Sequence, residues 1–244
     1  KVEELLKQNP DISHIGMVHS ETTTGMLNNY SPIAELAEKY NKCFILDAMS
    51  SFGGVPLDIR SPKIDFLISS ANKCIQGVPG FGFIIARKEV LKAYKGNSKS
   101  HSLDLYDQWE AMENDPGKWR FTSPTHTVRA FLQALAELNQ EGGIAARYKR
   151  YASNHQTLVL GMKKLGIEAF LSEEDQSPII TAFHEPSSPD FSFDKLYHLL
   201  KAEGFVIYPG KVSKAATFRI GHTGHVFPED IKRLLTTIEK IKFW

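Results

Sequence analysis

A chain of 244 residues, 42% hydrophobic and 23% charged, is long enough to bury one large or two modest cores. Its 29 basic and 28 acidic residues leave a net charge of +1, and no basic stripe or charge run marks a nucleic-acid or anionic-membrane surface. No apolar stretch approaches the roughly 20 residues needed to cross a bilayer, and the two cysteines form no CxxC pair, so a reduced, cytoplasmic protein is the default expectation.

In chain order, KVEELLKQNP reads as an amphipathic helix end, unlike a signal peptide. The helix is under way at Val2 with no N-cap ahead of it, which points to a longer protein whose front part is missing. HIGMVHS (His14 to Ser20) reads as a strand. SPIAELAEKYN then opens a helix with Ser31 as its N-cap and Glu35 in the early turns. KCFILDAMS (Lys42 to Ser50) is a near-continuous apolar run, as expected of a strand covered on both faces. IDFLISSAN and FGFIIAR supply two more strands. Helical spacing runs from Pro124 to Leu138, breaks at Glu141-Gly142-Gly143, and resumes from about Ile144 to Leu165. An α+β tail follows: SPIITAFH, a helix from Ser192 to Glu203, FVIYPGKV, TFRIGH, and a last helix from Pro228.

Strands separated by helices predict an α/β domain with a mostly parallel sheet flanked by helices. The expected division is a partial large domain over residues 1–145 and a small C-terminal α+β domain over residues 146–244. In open sheets of this kind ligands sit beyond the carboxyl ends of the strands. Three such ends carry polar groups: His19 to Gly25, Asp47 to Ser51, and Asn72-Lys73.

Lys73 and Asp47 are the chemically informative pair. Lysine becomes a nucleophile toward aldehydes when desolvation or neighbouring charge lowers its pKa. A carboxylate at the end of a neighbouring buried strand needs a cationic partner. Pyridoxal phosphate meets both needs, since lysine can bind its aldehyde while a carboxylate keeps its ring nitrogen protonated. Gly77, Gly80 and Gly82, with Pro79, let the chain turn sharply after Lys73 and return as FGFIIAR. On residues alone, plainer readings stay open. Asp47 could cap a turn, Thr22 to Thr24 could be a polar turn, Thr122 or Thr125 could cap the helix starting near Pro124, and Arg219 could join a cross-strand ion pair. Cys74 reads as a small core residue. His222-x-x-His225 lacks an acidic or cysteine companion, so no metal site is expected.

The segments VHSETTTGMLN, FILDAMSSFGG, ISSANKCIQGVPGFGF, KWRFTSPTHTV, GFVIYPGKVS and FRIG carry a resemblance that spans residues 18 to 221. The chain resembles the class V branch of the fold type I pyridoxal-phosphate enzymes, and within it the 2-aminoethylphosphonate–pyruvate aminotransferase family. The resemblance implies a three-layer αβα large domain, incomplete here, and a small C-terminal domain. It implies pyridoxal 5'-phosphate as cofactor and a homodimer with the active site at the subunit interface. It implies transfer of the amino group of 2-aminoethylphosphonate to pyruvate, giving phosphonoacetaldehyde and L-alanine. By the same resemblance Lys73 would bear the cofactor and move the substrate proton, and Asp47 would pair with the ring nitrogen. Thr22 or Thr23 would bond near the ring oxygen, and Asn72 would lie near the phosphate. Thr122 and Thr125 would reach the phosphate of the neighbouring subunit's cofactor, and Arg219 would clamp the substrate anion. The family's phosphate cradle and ring-stacking aromatic belong to a front part absent from this sequence, so the chain alone is expected to bind cofactor weakly. A serine- or alanine–glyoxylate aminotransferase of the same branch, or an inactive truncated scaffold, are the alternative readings.

Overall fold

The computed structural model describes residues 1–60, 63–210 and 215–244. Its elements run α1 (Val2–Gln8), β1 (His14–Val18), β2 (Ser20–Glu21), β3 (Met26–Leu27), α2 (Ser31–Lys39), β4 (Cys43–Asp47), β5 (Phe66–Ser70) and β6 (Gly82–Ala86). They continue with α3 (Lys88–Ala93), α4 (Leu105–Asn114), α5 (Thr125–Gln140), α6 (Gly143–Lys164), β7 (Ile180–His184), α7 (Phe193–Ala202), β8 (Tyr208–Pro209), β9 (Thr217–Gly221) and α8 (Pro228–Ile241).

The larger sheet has the order β1-β4-β5-β6. β4 pairs in parallel with β1 and with β5, and β6 closes the edge antiparallel to β5. The sheet is therefore α/β and mixed, with two parallel pairs and one antiparallel pair. β4 and β5 are its interior strands, and the apolar run of β4 buries Phe44 and Leu46 completely against Ala34 and Ala37 of α2. This is why the run CFIL lacks polar alternation.

The C-terminal sheet, β7-β9-β8, is antiparallel. It lies against α6, α7 and α8 in a second apolar core built on Leu158, Met162, Phe183, Leu196, Leu200, Phe218 and Ile238. The spacing of these residues, four apart on α6 (158, 162) and on α7 (196, 200), is the spacing of one helix face.

Two start signals differ from expectation. Ser31 is the first residue of α2 and not its cap; Tyr30 occupies the cap position with no side-chain bond. Asn29 instead accepts from the Ser31 N–H through Oδ1 at 3.2 Å, satisfying one of the free amides of the first turn. Likewise neither Thr122 nor Thr125 caps α5: Pro124 stands at the cap position and Thr125 is already helical. Ser192 caps α7 as a serine should, accepting from the Lys195 N–H. The strand expected over FVIYPGKV is reduced to Tyr208–Pro209, and residues 211 and 212 of that run lie outside the described residues. No helix among the described residues is long and apolar enough to cross a membrane.

The fully buried Leu158, under α8 and β7, gives a direct test of the second core. Leu158→Ala should cost about 2–5 kcal/mol, seen as a lower urea midpoint with an unchanged slope.

Candidate active site

The parallel register brings the ends of β1, β4 and β5 to one edge of the sheet: Val18 lies opposite Asp47, and Asp47 opposite Ile68. Backbone bonds continue past the strands, from His19 N–H to the Asp47 carbonyl (2.8 Å) and from Ala48 N–H to the Ile68 carbonyl (2.9 Å). The three polar segments named from the sequence therefore emerge side by side.

Beyond this edge lies a cavity of about 650 Å³, bounded on the far side by the C-terminal sheet. Thr22, Asn72, Lys73 and Arg219 all line it, although 197 residues separate Thr22 from Arg219. Lys73 is exposed, and its amine makes no hydrogen bond or ion pair among the described residues. Arg219 is buried. Its Nε donates to the Pro209 carbonyl (3.1 Å) and its Nη1 to the Thr22 carbonyl (2.8 Å), while Tyr208 lies 5.8 Å from the guanidinium carbon. Nη2 makes no hydrogen bond among the described residues, so part of the fork stays available to an anion.

The other candidates are placed differently. Asp47 is half-buried at the end of β4, and its Oδ1 accepts from the Met49 N–H (2.8 Å). It does not line the cavity and is not paired with Lys73, but Ser50, three residues on, does line it. Thr23 turns back on its own hairpin, both its N–H and its hydroxyl donating to Glu21 Oε1 at 2.8 Å. Thr122 and Thr125 are exposed and lie apart from the cavity; Thr125 opens the face of α5 that carries Val128, Leu132 and Leu135.

The turn after Lys73 owes its path to small residues. A Cβ on Gly77 would come 2.8 Å from the Ala71 carbonyl, and one on Gly54 would meet Cys74 Sγ at 2.5 Å. Cys74 itself is buried, donating its thiol toward the Ser50 carbonyl (3.1 Å), and burial pushes the thiol up to about 12. It is a packing residue and not a nucleophile at neutral pH.

Sequence reasoning assigned no role to several lining residues, among them Gln76, Tyr208, Thr223 and Gly224. Tyr208 and Gln76 stand inside the motifs GFVIYPGKVS and ISSANKCIQGVPGFGF; the contact of each with a distant segment has no local signature. Among the described residues no group of three or more His, Cys, Asp or Glu is placed to hold a metal ion.

The donor set suits an anionic aldehyde cofactor. An unpaired amine stands in a roomy cavity, an aspartate ends the neighbouring strand with one carboxylate oxygen free of hydrogen bonds among the described residues, and a buried arginine faces the same space. The fold and this site together define a class, and the chain belongs to the class-V aminotransferase family, whose model matches residues 1–226. The whole chain is 59% identical to the 2-aminoethylphosphonate–pyruvate transaminases of Klebsiella pneumoniae and Vibrio vulnificus, and 58% identical to that of Salmonella paratyphi C. It spans 66% of the length of each of these relatives. Among solved structures, it is similar to a pyridoxamine–pyruvate aminotransferase from Mesorhizobium loti (TM-score 0.88, 24% identity, covering 98% of this chain and 62% of that one). It is also similar to an alanine–glyoxylate aminotransferase from Nostoc sp. (TM-score 0.85, 20% identity, 98% and 65%). These likenesses show the fold, that of a fold type I transferase.

Two buried histidines flank the site. The His19 ring nitrogen lies 2.8 Å from Ser51 Oγ, and burial pulls its imidazole down to about 4. His222, 3.0 Å from Thr181 Oγ1, is pulled down to about 3 by burial, with His155 beside it adding repulsion. Unfolded imidazoles titrate near 6.5. Below that pH the unfolded chain therefore takes up protons that the folded chain refuses, and stability, full above pH 6.5, falls as pH falls. Between pH 6.5 and 5, above the range in which most carboxylates titrate, the urea midpoint should drop steadily. His19→Asn should make that drop shallower, as a pH series of unfolding curves would show.

Proposed function

We infer that the complete protein carrying this chain is a pyridoxal-phosphate-dependent transaminase acting on 2-aminoethylphosphonate and pyruvate, with phosphonoacetaldehyde and L-alanine as products. The observation that carries the reading is 58–59% identity, across the whole chain, to relatives bearing that name. The amine of Lys73 in the same cavity as Arg219 supports it. On this reading residues 1–145 are part of the cofactor-binding domain and residues 146–244 the small domain. The third of each relative's length that this chain does not span would supply the remaining phosphate contacts.

When bound, pyridoxal phosphate supplies an electron sink for a carbanion formed next to the transferred nitrogen. The chain's residues do the rest. Lys73 would hold the cofactor through its amine, and the same amine would be the base that takes the proton from the substrate carbon bearing nitrogen. Asp47 would be the carboxylate that keeps the ring nitrogen protonated. Thr22, or its neighbour Thr23, would bond near the cofactor's ring oxygen, and Asn72 would lie near its phosphate. Arg219 offers its planar fork to phosphonate in one half-reaction and to the pyruvate carboxylate in the other. The exposure of Thr122 and Thr125 fits residues that reach a neighbouring subunit's cofactor in a homodimer. The cytoplasm is the proposed location.

In the complete protein, Lys73→Ala should abolish turnover and remove the borohydride-stable label from the peptide spanning residue 73; retained activity, or a label elsewhere, excludes the role. Arg219→Lys should raise KM for phosphonate donor and for pyruvate together, by about 10-fold for loss of a charge-assisted hydrogen bond from the remaining nitrogen. An increase for only one acid would rule out a shared clamp. Running 2-aminoethylphosphonate, serine and alanine side by side as donors separates this reading from a glyoxylate-type transaminase, and silence with all three favours an inactive scaffold.

A further inference from the structure

Along α6, Arg147, Arg150, Tyr151 and Asn154 recur at the spacing of a single helix face. Each of them reaches out to a loop. Arg147 is 3% exposed; its Nη1 donates to the carbonyls of Cys74 (2.9 Å) and Ile75 (3.2 Å), the two residues that follow Lys73. Its Nε and Nη2 grip Glu141 Oε2 at 2.9 and 2.8 Å, and Arg150 Nε holds Glu141 Oε1 at 2.8 Å. Burial pushes the Glu141 carboxyl up, but the bonds from Arg150 and Arg147 outweigh it and hold it below the usual carboxylate range.

Tyr151 is fully buried, and its hydroxyl accepts from Gln76 Nε2 (2.7 Å) and from the Gly224 N–H (3.2 Å). The Gly224 carbonyl in turn accepts from Gln76 Nε2 (3.1 Å) and from Arg150 Nη1 (2.8 Å). Asn154 Nδ2 holds the carbonyls of His222 (3.2 Å) and Val226 (2.9 Å) on either side. One helix face thus ties together two cavity walls that are far apart in sequence: the turn bearing Lys73, and the loop bearing Thr223 and Gly224.

Strain at Gln76 makes this tie mechanically relevant. Gln76 has φ 65, in the left-handed region, and its N–H closes a turn onto the Lys73 carbonyl at 2.8 Å. A non-glycine residue stays there only when its surroundings over-determine it. The Gln76 side chain, held at both Tyr151 and Gly224, supplies that determination.

We propose that Arg147 and Tyr151 are positioning residues that lock the Lys73 turn against the Thr223–Gly224 wall and so fix where the amine stands in the cavity. They touch neither substrate nor cofactor; they act through Cys74, Ile75 and Gln76. The inference rests on the reading of Lys73 as the cofactor-bearing residue. A merely structural role would lower stability everywhere, whereas a positioning role loosens one turn and slows the chemical step.

Tyr151→Phe, which removes one oxygen and leaves the ring packed, is the test, made in the chain extended to the length of its relatives. Without cofactor, hydrogen exchange should accelerate in the peptides covering residues 72–77 and 222–226 while α8 exchanges at the wild-type rate. Unchanged exchange at both loops, or equal acceleration in α8, overturns the proposal. With cofactor, kcat should fall on the order of 10-fold or more at nearly constant KM, as a sub-ångström displacement of a reacting group would produce; a change confined to KM also overturns it. If wild-type protein takes no borohydride label at Lys73, the functional reading fails, yet the exchange experiment still judges the lock. Should Tyr151→Phe not fold, Gln76→Asn carries the same test. Asparagine tolerates the left-handed backbone but is one carbon too short to hold both partners, so the same local loosening is expected and its absence is equally fatal.

Discussion

Because β1, β4 and β5 run parallel and in register, their chains all leave the larger sheet at one edge, and the residues of the cavity on that side are delivered by those exits. A parallel pair requires the chain to cross back between strands, so each exit must also begin a loop long enough to make the return. Such loops can carry polar side chains that a strand buried on both faces cannot. The cavity is therefore a consequence of strand direction before it is a consequence of any single side chain. β6 completes the arrangement by running the other way, which lets the chain double back within a few residues of Lys73 and keeps the lysine turn short.

That geometry explains which parts of the molecule were legible in the sequence. β1, β4, β5 and β6 announced themselves as short apolar runs, although only β4 and β5 contain buried residues, and α6, α7 and α8 because their core faces repeat at helical spacing. α3 and α4 did not. α4 buries no residue fully, so its apolar positions Leu105, Trp109 and Met112, although at helical spacing, mark no core. The two misread caps share a cause: Ser31 and Thr125 stand next to a proline, and where the proline falls decides which residue is the half-helical one. Lys73, Thr22, Asn72 and Arg219 could be named because they sit at strand ends or inside recognisable motifs. Glu141 could be read only as part of a helix break, since its two arginine partners come into reach only after the chain reverses at Gly142 and Gly143, both at positive φ.

Arg219 illustrates how a residue can be found for one reason and prove to have two. Its motif points to an anion-binding fork, yet two of its three nitrogens already hold backbone: the Thr22 carbonyl on the hairpin side and the Pro209 carbonyl on the C-terminal side. The Thr22 bond crosses from the β2–β3 hairpin to the C-terminal sheet, and the Pro209 bond ties β9 to β8 within that sheet. Any group that draws on the remaining nitrogen meets a guanidinium whose orientation is already fixed, so little rotamer entropy is left to lose on binding.

The same logic explains why polar residues, not apolar ones, line the α6 face toward the cavity. The turn after Lys73 and the loop around Gly224 present carbonyls that no helix or strand satisfies, and buried carbonyls without donors are costly. Leucine or methionine at position 147 would fill the volume and leave the Cys74 and Ile75 carbonyls bare. Arginine carries enough N–H groups to serve both of them and still engage Glu141, which offsets the cost of burying its charge. Farther along the same helix, where α6 faces regular strands and helices whose backbone is already paired, the stripe turns apolar at Leu158 and Met162. The change of chemistry along one face follows what each half of the helix must satisfy: loop backbone near the lysine, and side-chain volume in the core.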